Sequence, residues 1–229
     1  MKRKKIKAFT LAEVLITLGI VGVAAAMTIP NLITNMQNRH TEAILKEDYS
    51  ILQQMMISAN EDGAISNITT LNDMNEMKKW FNTFFLPYIK TENICYDKEG
   101  CWNEKVYYLN NSVFQSGGSC GGFAISFVLP NASTVCLDDY KVSMLPIYGI
   151  DANNENSIIL YVDVNGQKKP NTLGKDIFVL GYDPNIGKLV PAGNSKTKTA
   201  IEKNCTKSDN GLWCLSLVKN NGWKIPKIK

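Results

Sequence analysis

Histidine is nearly missing: among 229 residues there is one, His40. A Ser-His-Asp or Cys-His site needs an imidazole beside its nucleophile. His40 lies ten residues past Pro30, on a stretch that reads as an anchor helix. It reaches a downstream domain only if that helix folds back, so it reads as an exposed helix residue. No motif nominates a serine, lysine or carboxylate mechanism in its place, and the chain reads as a non-enzyme. Cysteine is absent before residue 95, and the six present (Cys95, Cys101, Cys120, Cys136, Cys205, Cys214) lack the close C-x2-C pairs of a zinc site. Gly117, Gly118, Gly121 and Gly122 lack the spacing and the following helix of a phosphate-binding loop and read as a turn. No internal repeat is present.

A basic surface is also missing, although the formal charge is +4. Five of the 25 cations (Lys2, Arg3, Lys4, Lys5, Lys7) fall in the first seven residues, where there is no acid. Without residues 1–8, 20 cations face 21 acids, a net charge near −1. The basicity belongs to a leader, and nothing points to nucleic acid.

After the leader comes an apolar run of 21 residues, Phe9 to Ile29. That matches the roughly 20 residues needed to cross a bilayer. A cationic stretch before it keeps the N-terminus cytoplasmic by the positive-inside rule and sends the downstream chain outward. A conventional signal peptide has a shorter apolar region, although Ala24, Ala25 and Ala26 imitate its cleavage site. The run holds one charge, Glu13. A carboxylate in hydrocarbon costs about 3 kcal/mol on insertion scales and calls for a partner. The residues alone leave two readings open: a role in assembly, or a side chain that reaches water near the headgroups. Gly19, Gly22, Ala24, Ala25 and Ala26 add a small-residue face.

The arrangement KRKKIKA followed by FTLAEVLITLGIVGVAAAMTIPNLI resembles the N-terminus of type IV prepilins and type II secretion pseudopilins. Ala8 stands where those proteins usually carry glycine, Phe9 is the aromatic, Glu13 the fifth mature residue and Pro30 the helix-kinking proline. The resemblance covers about the first 60 residues. It implies cleavage between Ala8 and Phe9 by a prepilin peptidase, which then methylates the new amine of Phe9. It also implies that Glu13 meets that amine on a neighbouring subunit, and that an assembly platform protein adds the chain to a filament. The expected location is the bacterial inner membrane, single-pass, with the head outside the cytoplasm. The rival reading is a membrane-anchored binding module or enzyme that never joins a filament.

Beyond Pro30, apolar residues at Ile33, Met36, Ala43, Ile44, Ile51, Leu52, Met55, Met56 and Ala59 recur with helical spacing, which predicts helix to about Ser58. Pro30 is expected to bend or locally melt it, and Met36, Met55 and Met56 read as core filler. Residues 60–70 read as a connection. Asn72 or Asp73 is expected to cap a second helix through Phe85 with Met74, Met77, Trp80, Phe81, Phe84 and Phe85 on its apolar face. Strands are expected at 105–110, 122–129, 133–138, 157–164 and 176–183, with a hairpin at Pro130-Asn131-Ala132. The tail from residue 194 reads as a loop tied by Cys205 and Cys214, with Trp213 and Trp223 packing it down. The expected fold is α+β and pilin-like: a long N-terminal helix, half membrane span and half amphipathic, packed on a head with a mainly antiparallel sheet. The divisions are a leader at 1–8, a span at 9–30, an amphipathic continuation at 31–59 and a head at 60–229.

An even cysteine count downstream of an export signal predicts disulfides in an oxidising compartment. Six cysteines allow 15 connectivities, of which Cys95 to Cys101, Cys120 to Cys136 and Cys205 to Cys214 is the local one. In the head, DVNGQKKPNTLGKDIF (163–178) is the most distinctive stretch and resembles a segment that recurs near the C-terminus of many pilin-like bacterial proteins. Asp163, Asn165 and Asp176 offer hard oxygens of the kind calcium takes. The D-x-N-G opening imitates an EF-hand loop without its later ligands. A purely structural loop, turned by Asn165-Gly166 and Pro170-Asn171, competes with the metal reading.

Overall fold

A computed structural model describes residues 10–70, 73–96, 100–117, 120–121, 123–151 and 157–226. The chain divides into two units, Met1–His40 and Thr41–Lys229. Helix α1 (Leu11–Glu61) contributes to both. In the first unit none of its described residues is buried, and by length and composition this part is apolar enough to cross a membrane. Ile33 and Met36 are among its exposed side chains, so Met36 is not core filler. The helix assignment runs through Pro30 without interruption, and the expected local melting does not occur. A proline leaves only the carbonyl four residues earlier without its amide partner. Around it, the Thr28, Asn31 and Thr34 side chains donate to the carbonyls of Ala24, Met27 and Pro30 at 2.9, 3.2 and 2.9 Å.

The second unit is built on a six-stranded antiparallel sheet in the order β1-β4-β5-β6-β7-β8. The strands are β1 (Asn93–Tyr96), β4 (Ile125–Val128), β5 (Thr134–Tyr140), β6 (Ser157–Asp163), β7 (Ile177–Asp183) and β8 (Lys188–Pro191). A separate hairpin pairs β2 (Lys105–Tyr107) with β3 (Val113–Ser116). Alternate residues of each strand face opposite sides. Ile158, Leu160 and Val162 of β6 join Leu45, Leu52, Met55, Met56 and Ala59 of α1 in one core. Ile159 and Tyr161 point into a second core with Trp102, Tyr148 and Leu212. With both faces covered, β6 and β7 are buried at every position, so their sequences show continuous apolar runs instead of alternation.

Helix α2 (Met74–Phe84) starts at Asp73, whose carboxylate accepts from the amides of Asn75 and Glu76 at 2.7 and 2.9 Å. That satisfies two of the amides every helix start leaves without a partner. Asn72, the other candidate cap, lies outside the described residues, as do Gly118 and Gly122. Met77, Trp80 and Phe81 face the first core. The segment after α1 carries a 3₁₀ helix, Ile65–Thr70. A short α3 (Leu145–Tyr148) follows β5.

Strands β1, β3 and β8 lie outside the expected set; each has four residues, and β8 ends in proline, which an edge strand tolerates. The tail is not a loop. It forms α4 (Lys198–Asn204), capped by the Thr197 hydroxyl, and α5 (Cys214–Asn220). Each has seven residues, too few to display a helical period. The outer edge of β8 is itself engaged: the Gln53 carboxamide of α1 donates to the Leu189 carbonyl and accepts from the Leu189 amide at 3.2 Å.

Candidate functional sites

Two places hold the chemistry. The first is the start of α1. Thr10 and Glu13 form a reciprocal cap: the Glu13 carboxylate accepts from the Thr10 amide and hydroxyl at 2.8 Å each, and the Glu13 amide donates to the Thr10 hydroxyl at 3.3 Å. This is the Ser/Thr-x-x-Glu pattern in which the first turn satisfies its own orphan donors. Within one chain, Glu13 therefore has a third use beyond the two read from its charge: it terminates its own helix. The TLAE string carries that signal. Ala8 and Phe9 lie outside the described residues.

The second place is the connection between β6 and β7. Asp163, at the end of β6, is fully buried, and Asp176, just before β7, is nearly so. Asn165 spans them, its amide donating to Asp163 Oδ1 at 3.1 Å and its side-chain Nδ2 to Asp176 Oδ2 at 3.2 Å. The amides of Asn171 and Thr172 donate to Asp176 at 2.8 and 2.6 Å. Asn103, buried and 60 residues earlier, donates from Nδ2 to Asp163 Oδ2 at 2.6 Å. Thus all three residues named from sequence come together, and the fold adds Asn103 and Asn171. Burial, reinforced by the neighbouring Asp176 charge, pushes the Asp163 carboxyl up to about 8. Burial also raises Asp176, against the pull of the loop amides that donate to it.

The loop is held from two sides by disulfide-bearing segments. Cys95 is joined to Cys101, Cys120 to Cys136 and Cys205 to Cys214, and no cysteine is free. The first bridge ties Cys95 to Cys101, next to Trp102 and Asn103, and Gln167 of the loop donates to the Gly100 carbonyl at 2.8 Å. On the other side, Gly174 has φ +80° and a Cβ there would meet Cys214 Sγ at 2.5 Å. Only glycine takes that conformation and that approach without strain.

A long N-terminal helix with a bare apolar first part, followed by an antiparallel-sheet head, is the architecture of pilin-like proteins. Consistent with that class, residues 3–29 match the prokaryotic N-terminal methylation motif, which marks type IV pilin and pseudopilin-type substrates of prepilin peptidase. The motif and the apolar helix identify a membrane-anchored protein that assembles with other pilins. Residues 31–228 match the family described as "Family of unknown function (DUF6613)", and the chain belongs to that family. Comparison with curated proteins and with solved structures gives no match.

Proposed function

We propose that this chain is a structural subunit, of the minor kind, in a type IV pilus-like or type II secretion pseudopilus filament. The observation that carries the reading is the methylation motif at residues 3–29, which extends into α1, where no described residue before Thr41 is buried within its own chain. Such an apolar surface is stable in lipid and, after assembly, against other helices of the same kind. The basic leader keeps the N-terminus in the cytoplasm and places the head outside the inner membrane. Three disulfides suit that oxidising side. Prepilin peptidase separates Ala8 from Phe9 and methylates the amine, and a platform protein then feeds the subunit into the filament. There, Glu13 exchanges its own-helix cap for the Phe9 amine of a neighbour. A head much larger than α1 favours a minor over a major component.

N-terminal sequencing of the mature protein tests the processing step: methylated Phe9 is the expected first residue, and an intact Met1 or a start near Thr28 refutes it. Glu13→Ala is expected to leave insertion and cleavage intact while reducing incorporation into filaments. Normal filament yield from that variant rules out the assembly role of Glu13.

A further inference from the structure

We propose that the cavity between the end of β8, α4 and α5 binds a small organic phosphate. It measures about 440 Å³, and among the described residues it is lined by three lysines, Lys196, Lys198 and Lys219, and by no carboxylate. That volume falls within the roughly 300–1,000 Å³ of small-molecule sites. The near-neutral charge of the chain beyond residue 8 hides a segregation. Residues 188–229 hold nine lysines against two acids, while residues 9–187 hold 11 cations against 19 acids. Lys198 is 82% exposed and lies 3.9 Å from Glu202, a surface pair of little strength. Lys196 and Lys219 are partly buried, and neither has a carboxylate partner among the described residues. Each is set over an aromatic ring instead, Lys196 at 5.6 Å from the centre of Trp213 and Lys219 at 5.0 Å from that of Tyr49. A ring face orients an ammonium without neutralising it.

The walls are held in place before any ligand arrives. The Cys205–Cys214 bridge ties α4 to the start of α5, the Ser216 hydroxyl donates to the Ala192 carbonyl at 2.7 Å, and Lys219 Nζ donates to the Tyr49 hydroxyl at 3.0 Å. Gly193, at φ +88°, brings the backbone so close to Trp213 that a Cβ would meet it at 2.7 Å. A preformed cavity spares its ligand the cost of ordering it. Three ammoniums around one space select for more than one negative charge. A monocarboxylate brings one, whereas a phosphate monoester carries about −1.5 to −2 at pH 7 and three acceptor oxygens. Lysine meets phosphate as a point charge. Bare phosphate is far smaller than the cavity. Pro191 and Ile201, both buried, offer apolar contact, and Asn194 and Asn220 add exposed carboxamides, a mixed lining that suits a glycerol- or sugar-sized group on the ester. Such an ester is either dissolved or the headgroup of a lipid, with the same phosphate chemistry. The site lies within the head and is independent of whether the chain enters a filament.

Calorimetric titration of the full-length protein in neutral detergent micelles compares two probes, glycerol 3-phosphate in solution and short-chain phosphatidic acid in mixed micelles. Saturable binding at roughly 10⁻³ M or tighter is expected for at least one of them. Saturation by glycerol 3-phosphate supports a dissolved ester, and saturation by the lipid alone supports a headgroup. Raising the salt from about 0.01 M to about 0.15 M cuts the Debye length from about 30 to about 8 Å and is expected to weaken binding several-fold. Lys196→Gln and Lys219→Gln are each expected to weaken it about threefold to tenfold. Should loss of the Lys219 contact with Tyr49 unfold the second variant, Lys196→Gln carries the test. Lys207→Gln, exposed and outside the cavity, is expected to bind like the wild type. Wild-type protein that neither probe saturates overturns the proposal. So does unchanged affinity in Lys196→Gln, or a loss in Lys207→Gln as large as in the cavity variants.

Discussion

Asp48 is a carboxylate on α1 with no solvent exposure, set among Leu45, Leu52 and Met55. Its Oδ1 accepts from the Asn131 side-chain amide at 2.7 Å. Burial pushes its carboxyl from 3.8 up to about 6, with the Asn131 amide and the Ser133 hydroxyl pulling the other way. That gap of about two pH units corresponds to about 3 kcal/mol, at about 1.36 kcal/mol each. Because the folded value is raised, the folded state favours the neutral acid. The stability it contributes is complete below about pH 4 and is lost as pH rises through about 6. Asp48→Asn keeps the shape and removes the titration, and the Ser133 hydroxyl is at hand to accept from the new amide. The variant is therefore expected to gain on the wild type by about 2 kcal/mol between about pH 4 and pH 7. Urea unfolding of both proteins in micelles, followed by tryptophan fluorescence at the two pH values, measures this difference while effects common to both cancel. A variant-minus-wild-type difference that does not change with pH, or that shrinks as pH rises, refutes the reasoning.

Two further substitutions address how the head is held. Leu52→Ala deletes a fully buried side chain where α1 meets the sheet and is expected to cost 2–5 kcal/mol, about what such cavities cost elsewhere, read as a lower urea midpoint with an unchanged slope. Gly174→Ala forces a Cβ against Cys214 Sγ at a left-handed φ and is expected to cost more than about 1 kcal/mol; a melting temperature equal to wild type contradicts the close approach.

Long or doubly constrained elements are legible in the sequence. The 51 residues of α1 carry many turns of apolar spacing, and Asp73 announces α2 by its capping chemistry. Strands β6 and β7 stand out because two cores demand apolar residues at every position. By contrast, β1, β3, β8, α4 and α5 owe their existence to neighbours: four residues of strand are stable only when another strand receives them. The same division applies to the candidate site. Asp163, Asn165 and Asp176 sit within one loop and can be grouped by reading along it. Asn103 is 60 residues away, two positions past the Cys95–Cys101 disulfide, and no local pattern points to it. Asp48 is hidden in the sequence because an acid on an apolar helix stripe looks like the solvent side until the fold closes over it. Thr10 is readable in TLAE, but within an apolar run a glutamate registers first as a misplaced charge.

One side chain limits how this protein can polymerise. The Gln53 carboxamide fills both hydrogen-bonding positions of Leu189, doing for the last strand what a peptide unit of a further strand would do. A stranger's extended segment arriving at that place finds no vacant donor or acceptor. Ordered arrays can grow from helices meeting helices or from sheets joining edge to edge, and crowding subunits at high local concentration invites both. At this edge the second route is closed from within the subunit by an amide on the same helix that carries the membrane anchor.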